Sequence, residues 1–342
     1  MRMARDWFES LVGFRERGWE ETRALLEMRG DRLVSRVTGE SHGAGRLEMP
    51  TLGDLRARHA AGDGPRGATR VAVLRGDARA LHREPANAGA LFQVASQFNL
   101  LEMVGPDVTP EDGVARYAHD RTQGPACAIA AGAATIFRNY LVPLGGDRGQ
   151  TAARQLDALE GLGTALAAAT GLGRDRLWEM RNGYALCTRE GLAAISTLLR
   201  RLDEPGIDAL RARLAIGLHH DVEVTDHPGP ARPVVSQAFC SALPVAYGAG
   251  PRGAWRDFAT LVLEAAYEAT LLAAALAARG RGSPRVLLTS LGGGAFGNEE
   301  EWILAAMRRA LGLARGLGLD VAIVSYAAPG PALLRLAAEA GG

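Results

Sequence analysis

The chain has 342 residues, 47% of them hydrophobic, with a formal net charge of +1. That is enough for one large domain or two modest ones, and the near-zero charge offers no basic field to a nucleic acid. All 39 basic residues are arginine, which excludes Schiff-base chemistry at a lysine and a Walker-type phosphate loop.

The longest apolar run, 261–278, is interrupted by Glu264 and Glu268 and reads as a buried amphipathic helix, so no membrane partner is expected. The first seven residues lack the apolar core of a signal peptide, and a cytoplasmic protein is expected. Cys127, Cys187 and Cys240 are odd in number and widely spaced, the pattern of buried thiols rather than of a disulfide framework or a zinc knuckle.

In chain order, residues 4–35 are expected to be helical and 39–67, broken by Gly, Pro and Asp, to be linker, so that 1–66 forms a helical N-terminal extension. Strands are predicted at 70–75 and 90–95, then a helix over about 124–140, a turn at 145–150 and an alanine-rich helix at 151–170. A short strand at 182–188 precedes helices near 190–202 and 206–214. Part of 216–225, then 233–240, 286–289 and 320–325 read as further strands, with long helices at 254–279 and 299–317 between the late ones. The alternation predicts an α/β sandwich with helices on both faces, formed by 67–342 and carrying a helical insertion at about 145–230.

Two segments carry the chemistry. Strand 286–289 runs into Ser290-Leu-Gly-Gly-Gly-Ala-Phe-Gly-Asn298, with Asn298 expected to cap the helix that follows, a turn that offers bare backbone N–H groups to an anion. Strand 90–95 runs into Ser96-Gln-Phe-Asn-Leu-Leu-Glu102, and Gly124-Pro125 then opens a helix whose first amides are free for a second phosphate oxygen. Two such turns after different strands of one sheet suggest a diphosphate ligand across the strand C-terminal ends.

These segments resemble the macrodomain family, the ADP-ribose-binding fold. Gly292-Gly-Gly-Ala-Phe-Gly-Asn298 looks like the loop that wraps the diphosphate and distal ribose, and resembles the glycine loop of poly-ADP-ribose glycohydrolases. The 91–99 strand and loop stands where macrodomains carry an Asn-bearing loop, and Arg75-Gly-Asp77 is similar to the family's early Gly-Asp. Over 92–140, 234–247 and 286–326 the likeness is greatest to the MavL-like branch. The resemblance implies a three-layer α/β/α sandwich with a mixed sheet, and removal of ADP-ribose from protein arginine, including ADP-ribosyl-ubiquitin. The implied partners are ADP-ribose and an ADP-ribosylated protein, with no cofactor and no metal.

Cleaving a ribose–guanidinium bond passes through a cationic sugar, which carboxylates suit. Asp120 and Glu102 are expected to face the proximal ribose, and Asp112 to grip the arginine. The competing reading has Glu111 and Asp112 capping a helix after Thr109-Pro110, and Asp120 as the solvated N-cap of the next helix. Asp77, Ser96, Asn99, Gln123 and Gly124 are expected around the ligand with Gly292, Gly293, Gly294, Ala295, Phe296, Gly297 and Asn298, and Phe296 and Tyr326 to pack on ribose and adenine. His219, Asp221 and Glu223 share a strand face that could suit a divalent ion, but the same alternation marks any half-exposed strand. A non-catalytic ADP-ribose reader is the alternative to the hydrolase. A nicotinamide-dependent oxidoreductase fits less well, because the glycines follow a late strand.

Overall fold

The computed structural model describes residues 6–62, 67–248, 250–281 and 283–341. Its main sheet has seven strands, β1 (Arg46–Glu48), β2 (Arg70–Arg75), β3 (Leu91–Ala95), β4 (Gly217–Glu223), β5 (Val234–Cys240), β6 (Arg285–Leu288) and β7 (Asp320–Ser325), in the order β1-β4-β5-β3-β6-β7-β2. The five strands from β5 to β2 are parallel, while β4 runs antiparallel to both β5 and β1, so the sheet is mixed.

Alternate residues face opposite layers. Val286 and Leu288 of β6 and Val321 and Ile323 of β7 share a core with the helix Arg256–Arg281. Leu287 and Ala322 instead join Leu81, Phe92, Ala131 and Ala134 on the other face, which completes a three-layer α/β/α sandwich. The region 252–279 is long and apolar enough to cross a membrane, but 72% of its most apolar window is buried inside the protein. Its two carboxylates are paired: Glu264 with Arg211 at 2.7 Å, and Glu268 with Arg56 and Arg309 at 2.6 Å each.

The expected helix over 4–35 is corrected. Two short helices, Trp7–Val12 and Trp19–Ala24, lead into a three-stranded antiparallel sheet, Leu26–Arg29, Arg32–Ser35 and Ser41–Gly43. Gly30, at φ 64, and Asp31 make the two-residue turn between the first two of these strands. The expected linker supplies edge strand β1 and the helix Leu52–Ala60, while Met1–Arg5 and 63–66 lie outside the described residues. This segment supports the region that follows β3. Phe8, Leu11, Trp19 and Leu33 pack with Tyr117, Ile129, Ile136 and Tyr140, and Glu16 accepts the Val114 and Ala115 N–H groups at 2.8 and 2.7 Å.

Further differences have local causes. The expected 124–140 helix is three pieces, Gln123–Ala130, Gly132–Ile136 and a π-helical turn Phe137–Leu141. Ala131 leaves helical geometry and the Gly132 N–H is diverted to Thr225 Oγ1 at 2.9 Å. The alanine-rich helix starts at Glu160, because the Gln150 and Asp157 side chains take the Leu156 and Leu159 N–H groups in a loop. Asn182-Gly183, both at positive φ, turn a hairpin between Trp178–Arg181 and Tyr184–Cys187, where only a short strand was expected. The chain rejoins the main sheet at Gly217, inside the expected 145–230 insertion.

Candidate functional site

The C-terminal ends of the parallel strands open on a cleft of about 600 Å³, the place where open α/β sheets bind ligands. The two segments singled out in the sequence meet there. Ser96, Gln97 and Glu102 after β3 and Asp120 to Pro125 form one side, residues 289–292 and 294–296 after β6 form the other, and Tyr326 after β7 stands at the edge.

On the glycine side, Gly292 adopts φ 73, and a Cβ there would lie 2.4 Å from Ala242 Cβ; Gly297 adopts φ 70. Both positions therefore favour glycine. The turn is fixed by bonds from Gly293 N to Ser290 O and from Asn298 N to Gly292 O, while the amides of Gly294, Ala295 and Phe296 have no partner among the described residues. Consecutive free N–H groups form a concavity suited to an anion. Gly294 has open space where a side chain would stand. Asn298 is not the expected helix cap. It is buried, its amide donates to Leu243 O at 2.8 Å, and Glu299 stands at the N-cap of the helix Glu300–Leu313.

Across the cleft, the helix Gln123–Ala130 begins without a side-chain cap bond, so the Gln123 and Gly124 amides have no partner among the described residues. A Cβ on Gly124 would sit 2.2 Å from the Ala95 carbonyl oxygen and 3.3 Å from Glu102 Cγ, so glycine is what lets this helix end approach the strand. The Gln123 side chain lines the cleft, with Oε1 accepting the Ala78 N–H at 3.1 Å.

Glu102 is the unusual group. Its side chain is 1% exposed, and neither carboxylate oxygen has a hydrogen-bond partner. The nearest cation is Arg138, at 3.6 Å and fully buried. Burial pushes the Glu102 carboxyl up to about 8, against the opposing pull of Arg138 and the Tyr117 hydroxyl. Its loop is held by Gln97, whose side chain accepts the Met103 N–H at 2.8 Å and donates to the Met103 carbonyl, and by Tyr117, whose hydroxyl accepts the Glu102 N–H at 3.0 Å. A cleft-lining acid that keeps its proton at neutral pH is equipped for proton transfer.

The other predicted residues divide. Asp120 lines the cleft, half-buried, with Oδ1 accepting the Thr122 N–H at 2.8 Å. Ser96, Gly292, Ala295, Phe296 and Tyr326 also line it, whereas Gly293, Gly297 and Asn298 shape the turn from behind. Asp112 is not brought to the cleft. It closes a capping box with Thr109, accepting that N–H at 2.8 Å, and pairs with Arg116. Asp77 caps the helix Ala78–Arg83 through the Ala80 N–H, and Asn99 is buried with its amide on Gln155. Neither lines the cleft. His219 faces Arg138, and Glu223 faces Gly43 and Arg232; among the described residues no three His, Cys, Asp or Glu converge as metal ligands.

Several lining residues escaped the sequence. Tyr184, Tyr247 and Phe296 form a triad with ring centroids 5.2 to 6.0 Å apart. Tyr184 comes from the inserted hairpin, where the Asn-Gly turn was the one available signal. Arg121 puts an exposed guanidinium on the cleft with no ion pair among the described residues. Arg138 gave no sign, since an arginine in a helical stretch reads as surface.

No family model matches the chain, and no curated protein sequence does. Solved structures do. A poly(ADP-ribose) glycohydrolase from Thermomonospora curvata is similar over 91% of this chain and 93% of its own, at 15% identity and a TM-score of 0.46. Its complex with the inhibitor ADP-HPD matches over 90% and 92%, at 15% identity and a TM-score of 0.42. A poly(ADP-ribose) glycohydrolase from Deinococcus radiodurans in complex with ADP-ribose matches over 85% and 92%, at 15% identity and a TM-score of 0.42.

Proposed function

We propose that this protein is a macrodomain-like hydrolase that releases ADP-ribose from a modified protein, with arginine as the linked residue. One observation carries the reading: a buried carboxyl without a hydrogen-bond partner lines the same cleft as two sets of free backbone amides. The amides of 294–296 and of 123–124 suit the oxygens of a diphosphate. The Tyr184, Tyr247 and Phe296 rings give the nucleoside an apolar wall.

With the proximal ribose beside Glu102, the reaction needs one proton delivered and one removed. The C1″–N bond breaks as the ring becomes an oxocarbenium-like cation, and Glu102 gives its proton to the departing guanidine nitrogen. The Glu102 carboxylate then takes a proton from the water whose oxygen bonds to C1″, which restores the starting state. Asp120, on the cleft, is the carboxylate suited to hold the guanidinium, in place of Asp112.

The test is incubation with arginine-, serine- and glutamate-linked ADP-ribosyl proteins, ADP-ribosylated ubiquitin among the first, alongside calorimetry with ADP-ribose. Loss of the arginine signal is expected. Binding without turnover on any linkage would leave the reader in place of the hydrolase, and absence of ADP-ribose binding would overturn both.

A further inference from the structure

Arg138 lies behind the acid corner, on the π-helical turn Phe137–Leu141. Such a turn is rare and re-aims the side chains it carries. Nε of Arg138 donates to the Leu100 carbonyl at 3.0 Å, one terminal nitrogen to Thr135 Oγ1 at 3.1 Å and the other to His219 Nδ1 at 3.2 Å. The guanidinium carbon lies 3.8 Å from the centre of the Phe239 ring. Arginine only donates, so His219 presents a lone pair and is neutral, as its burial also requires. Leu100 holds φ 64, a left-handed conformation that leucine rarely adopts. A fully buried guanidinium is costly where an apolar side chain would pack, and this one grips the strained residue two positions before Glu102 while standing 3.6 Å from its carboxyl.

We propose that Arg138 is a positioning residue for Glu102: it ties the strained 96–103 loop to the π-turn and sets a fixed positive charge beside the carboxyl. This rests on Glu102 being the proton-transfer group. The titratable and charged groups around Glu102 are Arg138 on the π-turn, Tyr117 on the 3-10 turn Ala115–His119 and Cys127 on the helix Gln123–Ala130, with His219 of β4 behind Arg138.

The experiment titrates Glu102 by carbon-13 NMR in protein labelled at the glutamate carboxyls, the resonance being assigned by its loss in Glu102→Gln. In Arg138→Gln the midpoint is expected to rise by about one pH unit or more, since removing a cation this close favours the neutral acid. The corresponding limb of the pH–rate profile moves with it. Arg138→Lys keeps the charge and is expected to hold the wild-type midpoint while kcat falls and KM does not. A wild-type midpoint in Arg138→Gln overturns the proposal. Should that variant not fold, a displaced midpoint in Arg138→Lys does so instead. Wild-type activity in Glu102→Gln would remove the hydrolase reading, with the NMR midpoint still deciding whether Arg138 acts on this carboxyl.

Discussion

The two sides of the cleft meet a ligand with different parts of the chain. Residues 290–297 present backbone: three amides without a partner among the described residues, in a turn that needs glycine at Gly292 and Gly297 because their φ is positive. Residues 96–103 present an acid, Glu102, held by Gln97 and Tyr117 and faced by a buried arginine. The first side is suited to hold a charge that the ligand already has. The second is suited to move a proton, because burial places its titration near neutrality. Binding and chemistry should therefore come apart under mutation.

The sharpest separation is Glu102→Gln. It keeps the shape and removes the titrating proton, so ADP-ribose release is expected to fall by about 10²–10⁴-fold, while calorimetric affinity for ADP-ribose stays within a few-fold. Equal losses in both would merge the two sides. The same variant reports through stability. The folded-state pKa of Glu102 is raised from 4.5 to about 8, so between those values the unfolded chain has released a proton that the folded one still holds. Its contribution is complete below pH 4.5 and declines up to pH 8. Thermal melts should show Glu102→Gln gaining on wild type across that window and level beyond it; a flat difference would mean that the carboxyl is ionised when folded.

Alanine substitutions test the backbone amides, at Gly124 on the Glu102 side and at Gly292 and Gly294 on the other. At Gly124 a methyl meets the Ala95 carbonyl, and at Gly292 it meets Ala242 in a left-handed conformation. Each is expected to cost about 1–3 kcal/mol of stability and to weaken ADP-ribose binding at least as much as turnover. Gly294→Ala has open space around it, so denaturation should move by no more than about 0.5 kcal/mol. A loss of affinity in that variant would then report contact with the ligand rather than strain.

The same division decides what the sequence could reveal. β2, β3 and β7 were readable because apolar strands bounded by breakers leave a local pattern, and the 292–297 turn because positive φ writes itself as glycine. The N-terminal three-stranded sheet was hidden, since its strands are three or four residues long and their polar residues resemble a charged helix. Asn298 could not be read correctly either. It sits where a cap would, and only the Leu243 carbonyl beside it shows that it braces the loop. For Glu102 the residue was visible and the reason was not: its burial depends on Arg138, Tyr117 and the approach allowed by Gly124, all distant in sequence. Tyr184 and Tyr247 reach the cleft only through the fold of the inserted lobe and the 245–247 turn.

Asp112 supplies the smallest expected effect on ADP-ribose release. The carboxylate accepts the Thr109 N–H at 2.8 Å and the Thr109 hydroxyl at 3.1 Å, and pairs with Arg116 at 3.5 Å, all in the partly exposed turn that precedes Tyr117. Those contacts tie the carboxylate to the turn, and Asp112 does not line the cleft. Asp112→Ala should therefore cost about 1 kcal/mol in a denaturation series, the value of a lost cap, with ADP-ribose release near wild type. Asp120→Ala keeps the fold as well, since it gives up one turn bond, yet it removes a carboxylate from the cleft itself. If the arginine is held there, KM for the arginine-linked substrate rises in Asp120→Ala and not in Asp112→Ala, and the reverse order would return the grip to the outer turn.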